Sequence, residues 1–141
     1  KTKYNKFLKN QRIKMKKIIS TTKAPSAIGP YNQATSFEKL VFTSGQIALD
    51  PTTMEIVNGG VQEQTKQVME NLKAVLEEAG SSFENVLKTT CYLSDMDNFV
   101  AFNEIYGEYF KGETAPARST VAVKTLPKNV LVEVDVIAFK N

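Results

Sequence analysis

Residues 130–139, VLVEVDVIAF, decide the fold class of this chain. Valine occupies every second position from Val130 to Val136, which is typical of a β-strand with one buried face. Residues 117–124, ARSTVAVK, precede this stretch and show the same two-residue period. We predict that the two segments form a hairpin of β-strands.

The valines fix the register of this predicted hairpin, because a slip by one residue would mix its buried and exposed sets. One face is expected to hold Val121 and Val123 together with the four valines of residues 130–136. The opposite face then collects four polar side chains: Arg118, Thr120, Glu133 and Asp135. The hydrophobic pattern therefore places an arginine, a hydroxyl and two carboxylates together.

The same polar face is predicted to carry Ala122, Leu131 and Ile137. It is too apolar for a fully solvated surface and too charged for a core. Surfaces of this kind are often covered by another subunit. We therefore expect a homo-oligomer with polar pockets at its interfaces.

Strand and helix patterns alternate along the rest of the chain. Residues 40–47 and 86–93 are predicted strands, and helical spacing runs from Val61 to Ala79 before Gly80. Asp97 is expected to cap a second helix. Its predicted apolar face comprises Phe99, Phe102, Tyr106, Tyr109 and Phe110. With one or two early strands, this order indicates one α+β domain, a mixed sheet with two helices packed on one face.

The 141 residues contain no histidine and one cysteine, Cys91. This composition excludes the Ser-His-Asp and Cys-His nucleophile systems and most catalytic zinc sites. A single cysteine cannot form an internal disulfide, so we expect a reducing, cytoplasmic location. Cys91 lies in an apolar, strand-like stretch, and we interpret it as a small buried hydrophobe rather than a nucleophile.

The net charge of +3 hides an uneven distribution. Residues 1–17 hold eight cations and no acid, which leaves ten cations against fifteen acids in residues 18–141. The acidic part is not expected to bind nucleic acid, although the basic leader could. No stretch approaches the roughly 20 apolar residues of a membrane helix. We interpret residues 1–14 as a basic extension that is non-native or disordered, and residues 15–141 as the domain.

Without histidine, proton transfer must use carboxylates, tyrosines, lysines or water. Arg118 offers a planar donor fork that suits a substrate carboxylate, and Glu133 can accept a proton from water. Such a pair would suffice to hydrolyse an activated C=N bond without a cofactor. The alternative is a structural ion pair of Arg118 with Glu133 or Asp135, which composition and spacing alone favour.

Other candidate residues give weaker signals. Tyr31 follows a Gly-Pro turn, and most such tyrosines only pack. Ser44 and Gly45 could expose backbone N–H groups to an anion, although a β-bulge is the commoner reason for a glycine there. Asn103 lies on the predicted second helix, where a solvated or hydrogen-bonding role is the default.

Five motifs in this order together resemble the RidA/YjgF family over residues 16–141. They are AIGPY (27–31), TSGQI (43–47), KTT (88–90), FNEIY (102–106), and PARS (116–119) followed by KTLP (124–127) and VEV (132–134). The resemblance implies a chorismate-mutase-like α+β fold and a homotrimer with three clefts at its interfaces. It also implies hydrolysis of 2-iminobutanoate and 2-iminopropanoate to 2-keto acids and ammonia, with no cofactor or metal.

The resemblance further implies roles for individual residues. Arg118 would clamp the substrate carboxylate, and Glu133 would hold the attacking water with a backbone carbonyl near Thr120. Tyr31 would close over the substrate, and the pocket would be lined by Ser44, Gly45 and Asn103. Many relatives have cysteine where this chain has Thr120, which is tolerated if only the backbone there contacts the water.

Two other functions stay open at this point. The chain could form a trimer that binds small carboxylates, or regulates a partner, without turnover. Members of the family are also described as translation inhibitors and ribonucleases. The lack of histidine and the acidic body disfavour RNA cleavage.

Overall fold

A computed structural model describes residues 2–13 and 15–141. The described chain contains one six-stranded mixed sheet with the strand order β1-β2-β3-β6-β4-β5. Its strands are β1 (Lys17–Ile19), β2 (Ala34–Phe37), β3 (Leu40–Thr43), β4 (Val86–Leu93), β5 (Ala117–Ala122) and β6 (Val132–Phe139). Its α-helices are α1 (Thr2–Ile13), α2 (Val61–Glu78) and α3 (Phe99–Tyr109). The predicted α+β class and element order, with two early strands, are confirmed.

The last two strands do not form the predicted hairpin. Strand β4 lies between them, pairing parallel to β5 and antiparallel to β6. Helix α3 connects β4 to β5, because parallel neighbours need a crossover and cannot be joined by a tight turn. The predicted pairing was wrong because two alternating segments close in sequence need not be neighbours in the sheet.

The predicted division of side chains between the two faces is also wrong. Thr89 pairs with both Arg118 and Val136, and Cys91 pairs with both Thr120 and Val134. Directly paired residues project to the same face, so Arg118 and Thr120 share the face of the β6 valines.

The opposite face of the sheet carries the two carboxylates. Tyr92 pairs with both Val121 and Glu133, and Thr90 pairs with Asp135. Val121 therefore shares the face of Glu133, with Tyr92 between them, and does not lie with the valines of β6. A cross-strand ion pair between Arg118 and Glu133 does not form within this sheet.

Helices α2 and α3 cover the valine face and build the core with it. Fully buried side chains come from both layers: Val68, Met69, Leu72, Val75, Phe102, Val132 and Val134. The predicted helix from Val61 is confirmed, with Gly80 in the left-handed conformation at its C-terminal end (φ 76°). Asp97 is not the cap of the second helix, because α3 begins at Phe99 after a short 3₁₀ helix, Met96–Asn98. The Asp95 carboxylate caps that 3₁₀ helix by accepting a hydrogen bond from the Asp97 N–H.

The basic leader forms helix α1, whose side chains at positions 2–10 are all exposed. These side chains contribute nothing to the core of the domain. Residues 1 and 14 of the predicted extension lie outside the described residues. No helix within residues 2–13 or 15–141 is long and apolar enough to span a membrane.

Candidate active site

A β-bulge at residues 43–45 brings a glycine against Glu133. Phe42 pairs with Ile137 and Gln46 with Val134, so three residues of one strand face two of the other. A Cβ atom on Gly45 would lie 2.0 Å from Oε1 of Glu133 and 2.8 Å from its Cδ. Only glycine leaves room for the carboxylate in this place. The bulge interpretation of the glycine is thus confirmed, and it also positions Glu133.

The loop before β2 is tied to this bulge. The Ser44 hydroxyl donates to the carbonyl of Asn32 at 2.5 Å, and the Ser44 N–H donates to the carbonyl of Gln33 at 2.9 Å. The Ile28 N–H donates to the Tyr31 hydroxyl at 3.3 Å, while the ring stays half exposed. Tyr31 is therefore held beside the bulge but is not packed into the core.

Gln33 anchors the loop from the inside, and the sequence analysis missed it. Its Oε1 accepts from the N–H of Thr21 at 2.7 Å, and its Nε2 donates to the carbonyls of Ala24 (3.2 Å) and Pro25 (2.8 Å). The side chain is only 3% exposed. A single glutamine in a loop gives no sequence signal for this role, because its partners are backbone groups, which any residue type supplies.

These residues line one cleft of about 580 Å³. Four predicted site residues face it: Tyr31, Ser44, Gly45 and Glu133. Met54 and Lys128 also line it, and no sequence pattern singled them out. Arg118, Asn103 and Thr120 do not line this cleft in the described chain.

The carboxyl of Glu133 is half-buried and lies next to that of Asp135 on the same face of β6. Burial raises the pKa of Glu133, and the negative charge of Asp135 raises it further. Burial likewise raises the pKa of Asp135. Glu133 thus holds a proton more readily than a solvated glutamate, which suits a group that takes up and returns protons.

Arg118 belongs to a second cluster, at the free edge of β5 next to α3. Its Nη1 donates to Oδ1 of Asn103 at 2.6 Å. The guanidinium lies over the rings of Tyr106, 4.7 Å from the centroid, and Phe99, 5.4 Å from the centroid. Stacking and the amide contact hold the fork in one orientation. Arg118 itself is only partly buried.

Thr120 lies on the same edge strand as Arg118. Its Oγ1 atom is buried and has no hydrogen-bond partner within the described residues. Its neighbour across the ladder, Cys91, is fully buried, and burial raises the pKa of the Cys91 thiol to about 11. At neutral pH Cys91 is therefore an inert thiol, as its interpretation as a small hydrophobe predicted.

Comparisons with known proteins identify the family. The family described as Endoribonuclease L-PSP matches residues 21–140. The 2-iminobutanoate/2-iminopropanoate deaminase of Mus musculus is 48% identical over 127 residues, covering 90% of this chain and 93% of the relative. The chain belongs to the RidA/YjgF family.

Solved structures of the RidA/YjgF family show the same fold. A Rid family protein of unknown function, YyfA from Yersinia pestis, is 46% identical with a TM-score of 0.86, and the match covers 89% of this chain and 99% of that one. E. coli TdcF with bound serine is 42% identical with a TM-score of 0.83, covering 89% and 99%. The resemblance inferred from the five motifs is thus confirmed.

Proposed function

We propose that the chain is a cofactor-independent, cytoplasmic deaminase that hydrolyses 2-imino acids, such as 2-iminobutanoate and 2-iminopropanoate, to 2-keto acids and ammonia. The observation that carries the proposal is the placement of Glu133 against Gly45, in a cleft shared with Tyr31 and Ser44. An oriented arginine, Arg118, supplies the complementary anion-binding group.

Arg118 would bind the substrate carboxylate through its donor fork. The Asn103 amide and the Tyr106 ring restrict the rotation of the guanidinium, so less side-chain entropy is lost when the substrate binds. A carboxylate fixed in this way leaves C2 and its C=N bond projecting from the arginine.

Glu133 would move the protons of the reaction. As ionised carboxylate it accepts a proton from the water whose oxygen bonds to C2 of the protonated imine, while the C=N electron pair moves to nitrogen and a 2-amino-2-hydroxy acid forms. As carboxylic acid it returns that proton to the amine. The C–N bond then breaks, ammonia leaves, and the C2 hydroxyl gives its proton to Glu133, and from there to solvent, as the 2-keto acid forms. The raised pKa of Glu133 suits both steps, because it makes the carboxylate a stronger proton acceptor than a solvated glutamate.

The cleft with Glu133 and the cluster around Arg118 meet only if two subunits contribute to one site. Arg118 and Glu133 lie on opposite faces of their own sheet, so one protomer does not present both to the same small molecule. We propose a homotrimer in which Arg118, Asn103 and Thr120 of one subunit close the cleft that holds the other subunit's Glu133. Closed rings of this kind give each interface one copy of the composite site.

The uncovered face of the sheet supports this assembly. Pairing places Ile18, Leu40, Phe42, Val121 and Phe139 on the face that the helices do not cover. Each of these side chains is exposed in the protomer. An exposed apolar sheet face next to two half-buried carboxylates is typical of a subunit interface. Of the residues predicted for that face, Ala122 instead pairs with Leu93 on the helix-covered side.

The relatives support the substrate class. The mouse relative carries the name of this activity, and TdcF was solved with serine, a small 2-amino acid. Serine and a 2-imino acid share a carboxylate and a nitrogen on C2, so one site geometry can accept both.

The proposal is tested by ammonia release while a threonine dehydratase generates 2-iminobutanoate in situ. The wild type is expected to accelerate release, and Arg118→Ala is expected to abolish the acceleration with the fold intact. Lys66→Ala is the control, since Lys66 is an exposed cation on helix α2, away from the cleft and from the uncovered sheet face. No acceleration by the wild type would contradict the deaminase.

A carboxylate-binding protein without turnover is the alternative that this experiment separates. Such a protein would bind 2-keto acids through Arg118 but would not accelerate ammonia release. Glu133→Gln gives a second criterion, because a deaminase loses turnover in this variant more than it loses keto-acid binding.

A further inference from the structure

The cleft has an apolar part of its lining that the proposed chemistry does not use. Its apolar lining comprises Pro25, Ile28, Ile47, Leu49, Met54 and Pro127. The carboxylate and the nitrogen of a 2-imino acid need polar partners, so its side chain is the part that fits these residues. The apolar lining is therefore the place where side-chain length would be discriminated.

Met54 has an unusual backbone within this lining. Its φ is 60°, in the left-handed region that favours glycine, and a long unbranched side chain is uncommon there. Glu38, Lys128 and Asn129 are the other non-glycine residues with positive φ in the described chain. Lys128 also lines the cleft, but it is an exposed cation and adds nothing to the apolar side.

A tight turn imposes this conformation on Met54. The Met54 N–H donates to the carbonyl of Asp50 at 2.8 Å, and the Asp50 N–H donates to the carbonyl of Glu55 at 2.9 Å. Oδ1 of Asp50 also accepts from the N–H of Thr52 at 2.7 Å. These contacts hold the backbone where glycine would be the unstrained choice, and the chain places methionine there. What distinguishes Met54 from Glu38 is that its side chain lines the cleft.

We infer that Met54 is a specificity-determining residue that limits the length of the apolar side chain accepted by the cleft. The inference rests on the proposed function, since the ligand is a 2-imino acid or its 2-keto product. Methionine is flexible and fills irregular apolar space, so it can pack on the one- or two-carbon side chain of the proposed substrates and obstruct a longer one. Shortening it should open the cleft to longer ligands.

Three variants separate the effect of the Met54 side chain from the effect of its backbone strain. Met54→Ala removes most of the side chain and keeps a Cβ at positive φ, whereas Met54→Gly removes both. Glu38→Gly is the matched control, because Glu38 has a similar φ of 52° in the turn between β2 and β3 and does not line the cleft. It relieves the same kind of strain and leaves the cleft unchanged.

Two readouts are measured on the full chain with a straight-chain ligand series. The first is kcat/KM for imino acids generated by an amino-acid oxidase from alanine, 2-aminobutanoate, norvaline and norleucine. The second is calorimetric binding of the corresponding 2-keto acids. For each readout we take the value for the longest ligand divided by the value for the shortest, using kcat/KM or the association constant. In Met54→Ala and Met54→Gly this ratio is expected to rise about tenfold. Glu38→Gly is expected to leave the ratio unchanged.

The outcomes distinguish the inference from the proposed function. Wild-type turnover with an unchanged ratio in both Met54 variants would overturn the inference and leave the deaminase standing. A shifted keto-acid binding ratio without turnover in any protein would overturn the deaminase and support the role of Met54. Failure of the wild type to bind any 2-keto acid would contradict both.

Discussion

Arg118 and Glu133 project from opposite faces of one sheet. Arg118 is level with Thr89 and Val136 on the helix-covered side, whereas Glu133 is level with Tyr92 and Val121 on the uncovered side. The free edge of β5 lets Arg118 leave the core layer and reach Asn103 at 2.6 Å. A site that needs both side chains must therefore be assembled from two copies of the chain.

Gly45→Ala is expected to abolish turnover without unfolding the domain. The new Cβ would lie 2.0 Å from Oε1 of Glu133, the far end of a flexible side chain, so the carboxylate swings away and the backbone keeps its place. We expect kcat to fall about 10²- to 10⁴-fold, the contribution of a positioned acid–base group, with little change in melting temperature. Steady-state kinetics and calorimetry check the two effects.

Gly107→Ala is the control for that variant, because a Cβ on Gly107 of α3 would meet no atom within 4 Å. It should gain about 0.5–1 kcal/mol in the free energy of unfolding, as alanine does over glycine inside a helix. Normal kcat in Gly45→Ala would remove Glu133 from the proposed chemistry.

Tyr106→Phe is expected to lower stability more than activity. The Tyr106 and Thr89 hydroxyls share a buried hydrogen bond of 2.8 Å, and the variant leaves the fully buried Thr89 hydroxyl without that partner. The cost is about 1–3 kcal/mol in the free energy of unfolding. The phenylalanine ring still lies under Arg118, so kcat/KM should change only a few-fold. Urea unfolding and kinetics test this, and a stability equal to that of the wild type would contradict the reported hydrogen bond.

Stability is expected to fall as pH rises through the pKa values of the two carboxyls on β6. Folding raises the pKa of Glu133 above 4.5 and that of Asp135 above 3.8, so the folded state binds protons more tightly than the unfolded state in this range. Their contribution is fully present below those unfolded values and is lost as the groups ionise.

Asp135→Asn isolates this effect. It removes one of the two titrations and the charge that helps to raise the pKa of Glu133. Melting temperatures measured from about pH 4 to pH 8 should show a shallower decline in the variant than in the wild type. Identical pH profiles for the two proteins would contradict the assigned cause.

Periodicity predicted which segments form helices and strands better than it predicted which strands pair with each other. The spacing of apolar residues after Val61 fixed α2, because a helix buries one stripe of its own surface. The same logic failed for residues 117–139, because β4 inserts between β5 and β6 and reverses the face of Arg118 and Thr120. Alternation reveals that a strand has two faces, but it does not say which strand lies next to it.

The sequence likewise predicted only part of the candidate site. Glu133 and Gly45 were singled out by residue type and motif, and the bulge explains why they meet. Gln33 and Met54 were missed, because a hydrogen bond to a backbone carbonyl and a positive φ leave no mark in the order of side chains. The motif resemblance named candidate residues that periodicity did not, such as Tyr31 and Asn103, since it does not depend on strand order.

The central claim is tested most directly by mixing two inactive variants, Arg118→Ala and Glu133→Gln. The two are unfolded together, refolded at equal concentrations and assayed for ammonia release from in situ 2-iminobutanoate. In a trimer with sites between subunits, every mixed ring contains one site with both native residues, so about a quarter of wild-type activity should return. Each variant refolded alone should stay inactive. No recovery in mixed trimers, confirmed by mass spectrometry to contain both chains, would contradict a site shared between Arg118 of one subunit and Glu133 of another.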